Sequence, residues 1–152
     1  MRAAGKARGR LRQLSIVPGD FSVESGHAAV MALDPEEELV PAAGQGIIAV
    51  TAREEDVETR RLFAMIDHRP TRIAATAERA LLAALDGSCR TPVGAYARIL
   101  PGGRLRLTGL LAREDGSFLL KRSLEGAPGD AARLGAGLGE WLRAGSPADI
   151  LS

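Results

Sequence analysis

One cysteine, two histidines and very few aromatic side chains set the first limits on this chain. Cys89 is the only thiol in 152 residues, so no intramolecular disulfide can form and nothing points to an oxidising compartment. His27 and His68 do not stand at metal-ligand spacing with each other or with Cys89, so no metal site is expected. Aromatics make up 3% of the chain, which leaves Leu, Ala, Val and Ile to build any core. No apolar run approaches the roughly 18 residues that begin to suggest a membrane span, and no apolar signal-peptide core follows the basic start. The expected location is therefore the cytoplasm. A formal net charge of +1 is too small to favour nucleic acid or an acidic membrane as the main partner.

What is present has the balance of a soluble globular protein, with 45% apolar and 26% charged residues. The spacing predicts an α+β fold in three stretches. Residues 1–32 are poorly patterned and interrupted by Gly5, Gly9, Pro18, Gly19 and Gly26, so disorder is expected there. This stretch carries Arg2, Lys6, Arg8, Arg10 and Arg12 before the first acid, Asp20. Residues 33–69 hold the run Ile47-Ile48-Ala49-Val50 after two glycines, which reads as a buried strand. A helix with early acids, late bases and Leu62, Phe63 and Ile66 on one face follows.

Residues 70–152 begin at Pro70, a helix-start signal. Ile73, Ala77, Ala80, Leu81 and Ala84 follow the helical repeat, with Glu78 and Arg79 as its polar interruption and Gly87 as its stop. Period two then takes over at Val93, Ala95, Ala97 and Ile99, and again at Leu105 and Leu107. Phe118, Leu120 and Leu124 mark a third strand. Turns at Pro101-Gly102-Gly103 and Glu114-Asp115-Gly116 make these a three-stranded antiparallel meander. Its apolar face is expected to be covered by a last helix through Leu134, Leu138, Trp141 and Leu142, with Asp130 as its cap.

Few residues are placed for chemistry. Cys89 lies on the loop Asp86-Gly87-Ser88-Cys89-Arg90-Thr91-Pro92 between a helix stop and a strand. Arg90 favours its thiolate and the preceding helix C-terminus opposes it. A Cys–His pair with His68 competes with a plain surface histidine. Glu36, Glu37 and Glu38, and the acids from Glu54 to Asp56, read as solvated charge at helix ends. Gly44-Gln45-Gly46 lacks the further glycine of a dinucleotide loop and no Lys-Ser/Thr follows it, so a nucleotide site is not supported. Gly137 and Gly139 read as close-packing positions.

Two segments together resemble the porphobilinogen deaminase (hydroxymethylbilane synthase) family. The first is Leu39-Val40-Pro41-Ala42-Ala43-Gly44-Gln45-Gly46-Ile47-Ile48-Ala49-Val50. The second runs from Thr76-Ala77-Glu78-Arg79-Ala80-Leu81 to Leu85-Asp86-Gly87-Ser88-Cys89, then Thr91-Pro92-Val93-Gly94. The resemblance covers about Leu33 to the C-terminus; the family more often has glycine where this chain has Ser88. It implies that residues 70–152 are the family's small third domain, a three-stranded antiparallel sheet covered by helices. Residues 33–69 are then a strand and helix of its first domain. It further implies a transferase of tetrapyrrole (haem) biosynthesis with a dipyrromethane cofactor held by Cys89 through a thioether. Porphobilinogen and linear pyrrole intermediates are the implied partners, with Gln45 and Gly46 as candidate contacts to pyrrole units.

Members of the family are roughly twice this long, a length that allows domains this chain lacks. The resemblance therefore implies a truncated chain, inactive alone, with no catalytic residue of its own identified. The family's catalytic aspartate belongs to a part of the first domain with no counterpart here. A separate N-terminal part is a candidate partner. The rival reading is a non-catalytic binding module whose basic arm contacts nucleic acid or a protein.

Overall fold

The computed structural model describes residues 21–22, 29–30, 33–85 and 92–151. The chain forms two compact units, Met1–Asp34 and Pro35–Ser152. In the first, β1 (Phe21–Ser22) and β2 (Ala29–Val30) pair antiparallel, with Phe21 opposite Val30. Apart from this ladder, the stretch 1–32 for which disorder is expected lies outside the described residues. The basic cluster from Arg2 to Arg12 lies outside the described residues.

The second unit is built on the expected meander. Helices α1 (Val57–Ala64) and α2 (Arg69–Ala84) precede β3 (Val93–Ile99), β4 (Leu105–Ala112) and β5 (Leu119–Gly126), and α3 (Ala131–Ala144) follows. The strands lie in the order β3-β4-β5, both pairs antiparallel. Ala95 faces Gly109 and Ala97 faces Leu107, while Leu107 also faces Leu124. Alternation thus sends Ala95, Ala97, Leu105, Leu107, Leu111 and Leu120 to one side, where α2 and α3 cover them. Leu81 and Leu85 from α2 and Leu138 and Leu142 from α3 are fully buried there. The two helices meet closely because Gly135 and Gly139 lack side chains. A Cβ on Gly135 would stand 2.8 Å from Ala80 Cβ, and one on Gly139 would stand 2.6 Å from Ala84 Cβ. Gly137, expected to be a packing position, faces open space instead.

The opposite sheet face is covered as well, by the strap 35–41. Arg98 Nη2 donates to Glu36 Oε2 at 2.7 Å, and Arg106 Nε stands 3.7 Å from Glu36 Oε1. Lys121 Nζ donates to the Glu36 carbonyl at 2.8 Å. Val40 lies so close to Gly94 that a Cβ there would meet its carbonyl oxygen at 2.9 Å. Beneath the strap, Thr108 is fully buried and shares a 2.8 Å hydrogen bond with Ser123. Glu36 is therefore not solvated helix-end charge: its side chain is 12% exposed and is held by cations reaching up from the sheet.

Three further expectations change. Ile47–Val50 forms no strand; Ile48 is 90% exposed and Val50 54%. A strand requires a partner for its backbone groups, and no described strand lies beside this run. Asp130 occupies the N-cap position of α3 but makes no capping bond, because its carboxylate turns to Arg133 at 2.8 Å. Asp56 is the cap that does form. It accepts from Thr59 N–H at 3.0 Å, and these backbone and hydroxyl hydrogen bonds hold its carboxyl below the usual range.

Trp141 also leaves the core. It is 38% exposed at the rim of α3, with the Arg122 guanidinium 4.4 Å from its ring centroid. Cation–π contact supplements packing at such a rim. Trp141→Ala is expected to destabilise the unit by clearly less than the ~3–5 kcal/mol of a buried tryptophan. A urea midpoint shifted by as much as that of a core leucine variant would contradict this placement.

Candidate functional site

The turn carrying Gln45 and Gly46 is held by a residue that the sequence pattern had set aside. Gly44 and Gly46 have φ of 74° and 85°, the left-handed region that glycine enters without strain. Two backbone bonds close the turn, from Gln45 N–H to Ala42 O at 3.0 Å and from Ile47 N–H to Gly44 O at 3.1 Å. Ala42 N–H donates to Gln45 Oε1 at 3.2 Å, so the glutamine side chain folds over its own turn. Gly44 N–H points into the protein and donates to Glu78 Oε2 at 2.7 Å.

The second oxygen of Glu78 meets the sheet. Ala97 N–H donates to Glu78 Oε1 at 2.8 Å, and two residues earlier Ala95 N–H donates to Pro41 O at 2.8 Å. Both amides belong to the open edge of β3, which would otherwise present unpaired donors. Glu78 is only 5% exposed. Burial pushes its carboxyl above the usual glutamate range, while the hydrogen bonds from Gly44 and Ala97 pull it back. Read as a polar interruption, Glu78 is in fact on the buried stripe. Ala74, Ala77, Glu78, Leu81 and Leu85 recur at helical spacing and are all buried. That periodicity was the available signal.

A recess of about 230 Å³ opens between these elements, lined by Gln45 and Gly46 from the turn, Glu78 from α2, and Ala95, Tyr96 and Ala97 from β3. The structure thus brings both candidate pyrrole contacts to one concave surface. A second groove, of about 390 Å³, lies between Ile47–Val50, Phe63 and Ile66, and the start of α2. His68 sits there and shares a 2.8 Å hydrogen bond with Thr71 Oγ1. Around it Ile48, Val50, Leu62, Met65 and Ile66 are more than half exposed.

Cys89 lies outside the described residues, which end at Leu85 and resume at Pro92. At one end Leu85 is fully buried, and Arg143 donates through Nε and Nη2 to the Ala84 carbonyl at 3.0 and 2.8 Å. A cation there opposes the negative end of the α2 dipole, the influence that disfavours a nearby thiolate. At the other end Ala112 N–H donates to Pro92 O at 3.1 Å and seats the start of β3 on β4. Among the described residues no cluster of His, Cys, Asp and Glu could hold a metal ion, and no helix is long and apolar enough to cross a membrane.

Comparison with known proteins meets this geometry. The family described as "Porphobilinogen deaminase, C-terminal domain" matches residues 72–144, a stretch that takes in α2, the Cys89 loop, the sheet and α3. The chain is 45% identical over 124 residues to a porphobilinogen deaminase of Paracoccus denitrificans (strain Pd 1222), covering 82% of this chain and 39% of that protein. It is 44% identical over 114 residues to a porphobilinogen deaminase of Pelotomaculum thermopropionicum (strain DSM 13744 / JCM 10971 / SI), covering 75% of this chain and 36% of that protein. The chain thus spans well under half the length of these relatives. Through the domain at residues 72–144, the chain belongs to the porphobilinogen deaminase family.

Proposed function

We propose that this chain supplies the cofactor-bearing C-terminal domain for hydroxymethylbilane synthesis from porphobilinogen, with a dipyrromethane on Cys89. The observation that carries the reading is that the family domain, residues 72–144, contains the chain's only thiol on the loop between α2 and β3. The donor set fits the group, because a thioether needs one soft sulfur nucleophile and the chain offers one. When bound, the dipyrromethane supplies the pyrrole carbon onto which further units are joined. Cys89 would hold the group through its Sγ, the thiol supplying the sulfur of the thioether and giving up its proton. Gln45 and Gly46 would flank the pyrrole units, and the hydrogen bonds at Ala84 and Pro92 anchor the described residues on either side of Cys89.

The exposed apolar run Ile47–Val50 and the faces of Leu62 and Ile66 belong, in this reading, against a sheet of the family's first domain. In the family the first domain supplies that sheet and the catalytic aspartate, and the assembly works in the cytoplasm. A chimera tests the reading: residues 33–152 replace the matching part of the Paracoccus relative. The chimera is expected to carry two pyrrole units by intact mass and to consume porphobilinogen. Cys89→Ser should abolish both. A chimera that folds but carries no adduct would overturn the proposal.

A further inference from the structure

We infer that Glu78 is the positioning residue of the Gly44–Gln45–Gly46 turn, its carboxylate tying the turn to the open edge of β3 and so setting the shape of the recess that Gln45 and Gly46 line. The tie is specific to a carboxylate of this length. Two N–H donors, from Gly44 and Ala97, converge on its two oxygens at 2.7 and 2.8 Å. A glutamine offers one oxygen and one NH₂, which would face a second donor. An aspartate is one methylene shorter and cannot bridge the same gap from the same backbone. The turn contributes no competing side chain, since Gly44 has none and Gln45 bonds its own Ala42.

Among the described residues, the carboxylate is also the recess's only charged group. Among the described residues that line it from the turn, α2 and β3, Tyr96 is the one other titratable side chain, and no salt bridge reaches Glu78. Protonation therefore changes the tie with no charged neighbour among the described lining residues to mask it. A protonated carboxyl has an O–H where one of the two acceptors stood. The turn and the β3 edge should loosen together as that proton binds. That the recess then contacts pyrrole units rests on the function proposed above; the tie itself does not.

The test uses the whole chain and amide NMR across a pH series. Gly44 and Ala97 amide signals are expected to move together, with one midpoint above the usual glutamate range, while the Leu107 amide in the middle of the sheet stays still. In E78Q the pH response of both should vanish, and hydrogen exchange at Gly44 or Ala97 should quicken by about tenfold or more, the factor that corresponds to ~1.4 kcal/mol of lost protection. Independent midpoints in the wild-type chain would overturn the inference, as would unchanged exchange in E78Q; the wild-type titration decides even if the variant does not fold. In the chimera, E78Q should raise KM for porphobilinogen several-fold while leaving the adduct on Cys89. An adduct lost along with the fold, or an unchanged KM, would count against positioning. A wild-type chimera without adduct refutes the proposed function and leaves the amide result standing.

Discussion

Leu81→Ala is expected to lower the stability of the Pro35–Ser152 unit by about 4–5 kcal/mol, the upper end of the range for a buried leucine. Leu81 is fully buried, and three glycines close around it. A Cβ on Gly109 would stand 2.7 Å from its Cδ1, and Cβ atoms on Gly135 and Gly139 would stand 3.0 and 2.8 Å from its backbone N and O. Glycines have no side chains that can swing into a vacated space, so the cavity should stay open and the cost should be high. The same geometry makes a matched pair of glycine changes diagnostic. Gly135→Ala places a methyl against the Ala77 carbonyl oxygen and 2.8 Å from Ala80 Cβ, both of them groups that cannot rotate away. It should destabilise by roughly 1–3 kcal/mol despite the better helix former. Gly137→Ala meets nothing within 4 Å and should stabilise by about 0.5–1 kcal/mol. Urea unfolding of the three variants reads these directions in the midpoint, provided the slope is unchanged. A Gly135→Ala protein as stable as the parent would mean that α2 and α3 do not touch there.

The meander and the helix at Pro70 were legible because their periods are unambiguous. Leu105 and Leu107 alternate with charge, and Ala77, Leu81 and Leu85 recur at a helical step. Legibility failed where a pattern fixes a face but not its neighbour. Ile47–Val50 is apolar enough for a strand, yet a strand is a pairing and the described chain offers it no partner. Trp141 shares its helical face with Leu138, but its angular position at the edge of that face leaves it to Arg122. Glu36 and Glu78 failed for a second reason. Acids are read as solvated by default, and each is held by a contact 19 to 62 residues away in sequence, Glu78 with Ala97 and Glu36 with Arg98. The candidate site was half visible. Gln45 and Gly46 came from the family resemblance and do line a recess, whereas the residue that holds their turn had to be found in space.

The 152-residue chain by itself is expected to leave porphobilinogen unconsumed and to keep Cys89 as a free thiol. Turning the aminomethyl group of porphobilinogen into an electrophile requires a proton for the departing ammonia and a negative group to steady the cationic pyrrole. The recess offers one carboxylate, Glu78, and both of its oxygens are committed to backbone amides at 2.7 and 2.8 Å. Its burial leaves little room for a cation to approach. His68, the histidine among the described residues, belongs to the apolar groove and shares its Nδ1 hydrogen bond with Thr71. The resemblance assigns the family's catalytic aspartate to its first domain, and the match to the Paracoccus relative covers 39% of that protein. On the function proposed above, Cys89 would then hold a primer without making one. Intact mass of the purified chain should equal the sequence mass, and an alkylating reagent should add once, with Cys89→Ser adding none. Porphobilinogen should persist at its starting level over hours. A chain that leaves the cell already carrying two pyrrole units on Cys89 would refute this account. So would steady porphobilinogen turnover that disappears in Cys89→Ser, because the acid and the stabilising charge would then have to lie within these residues.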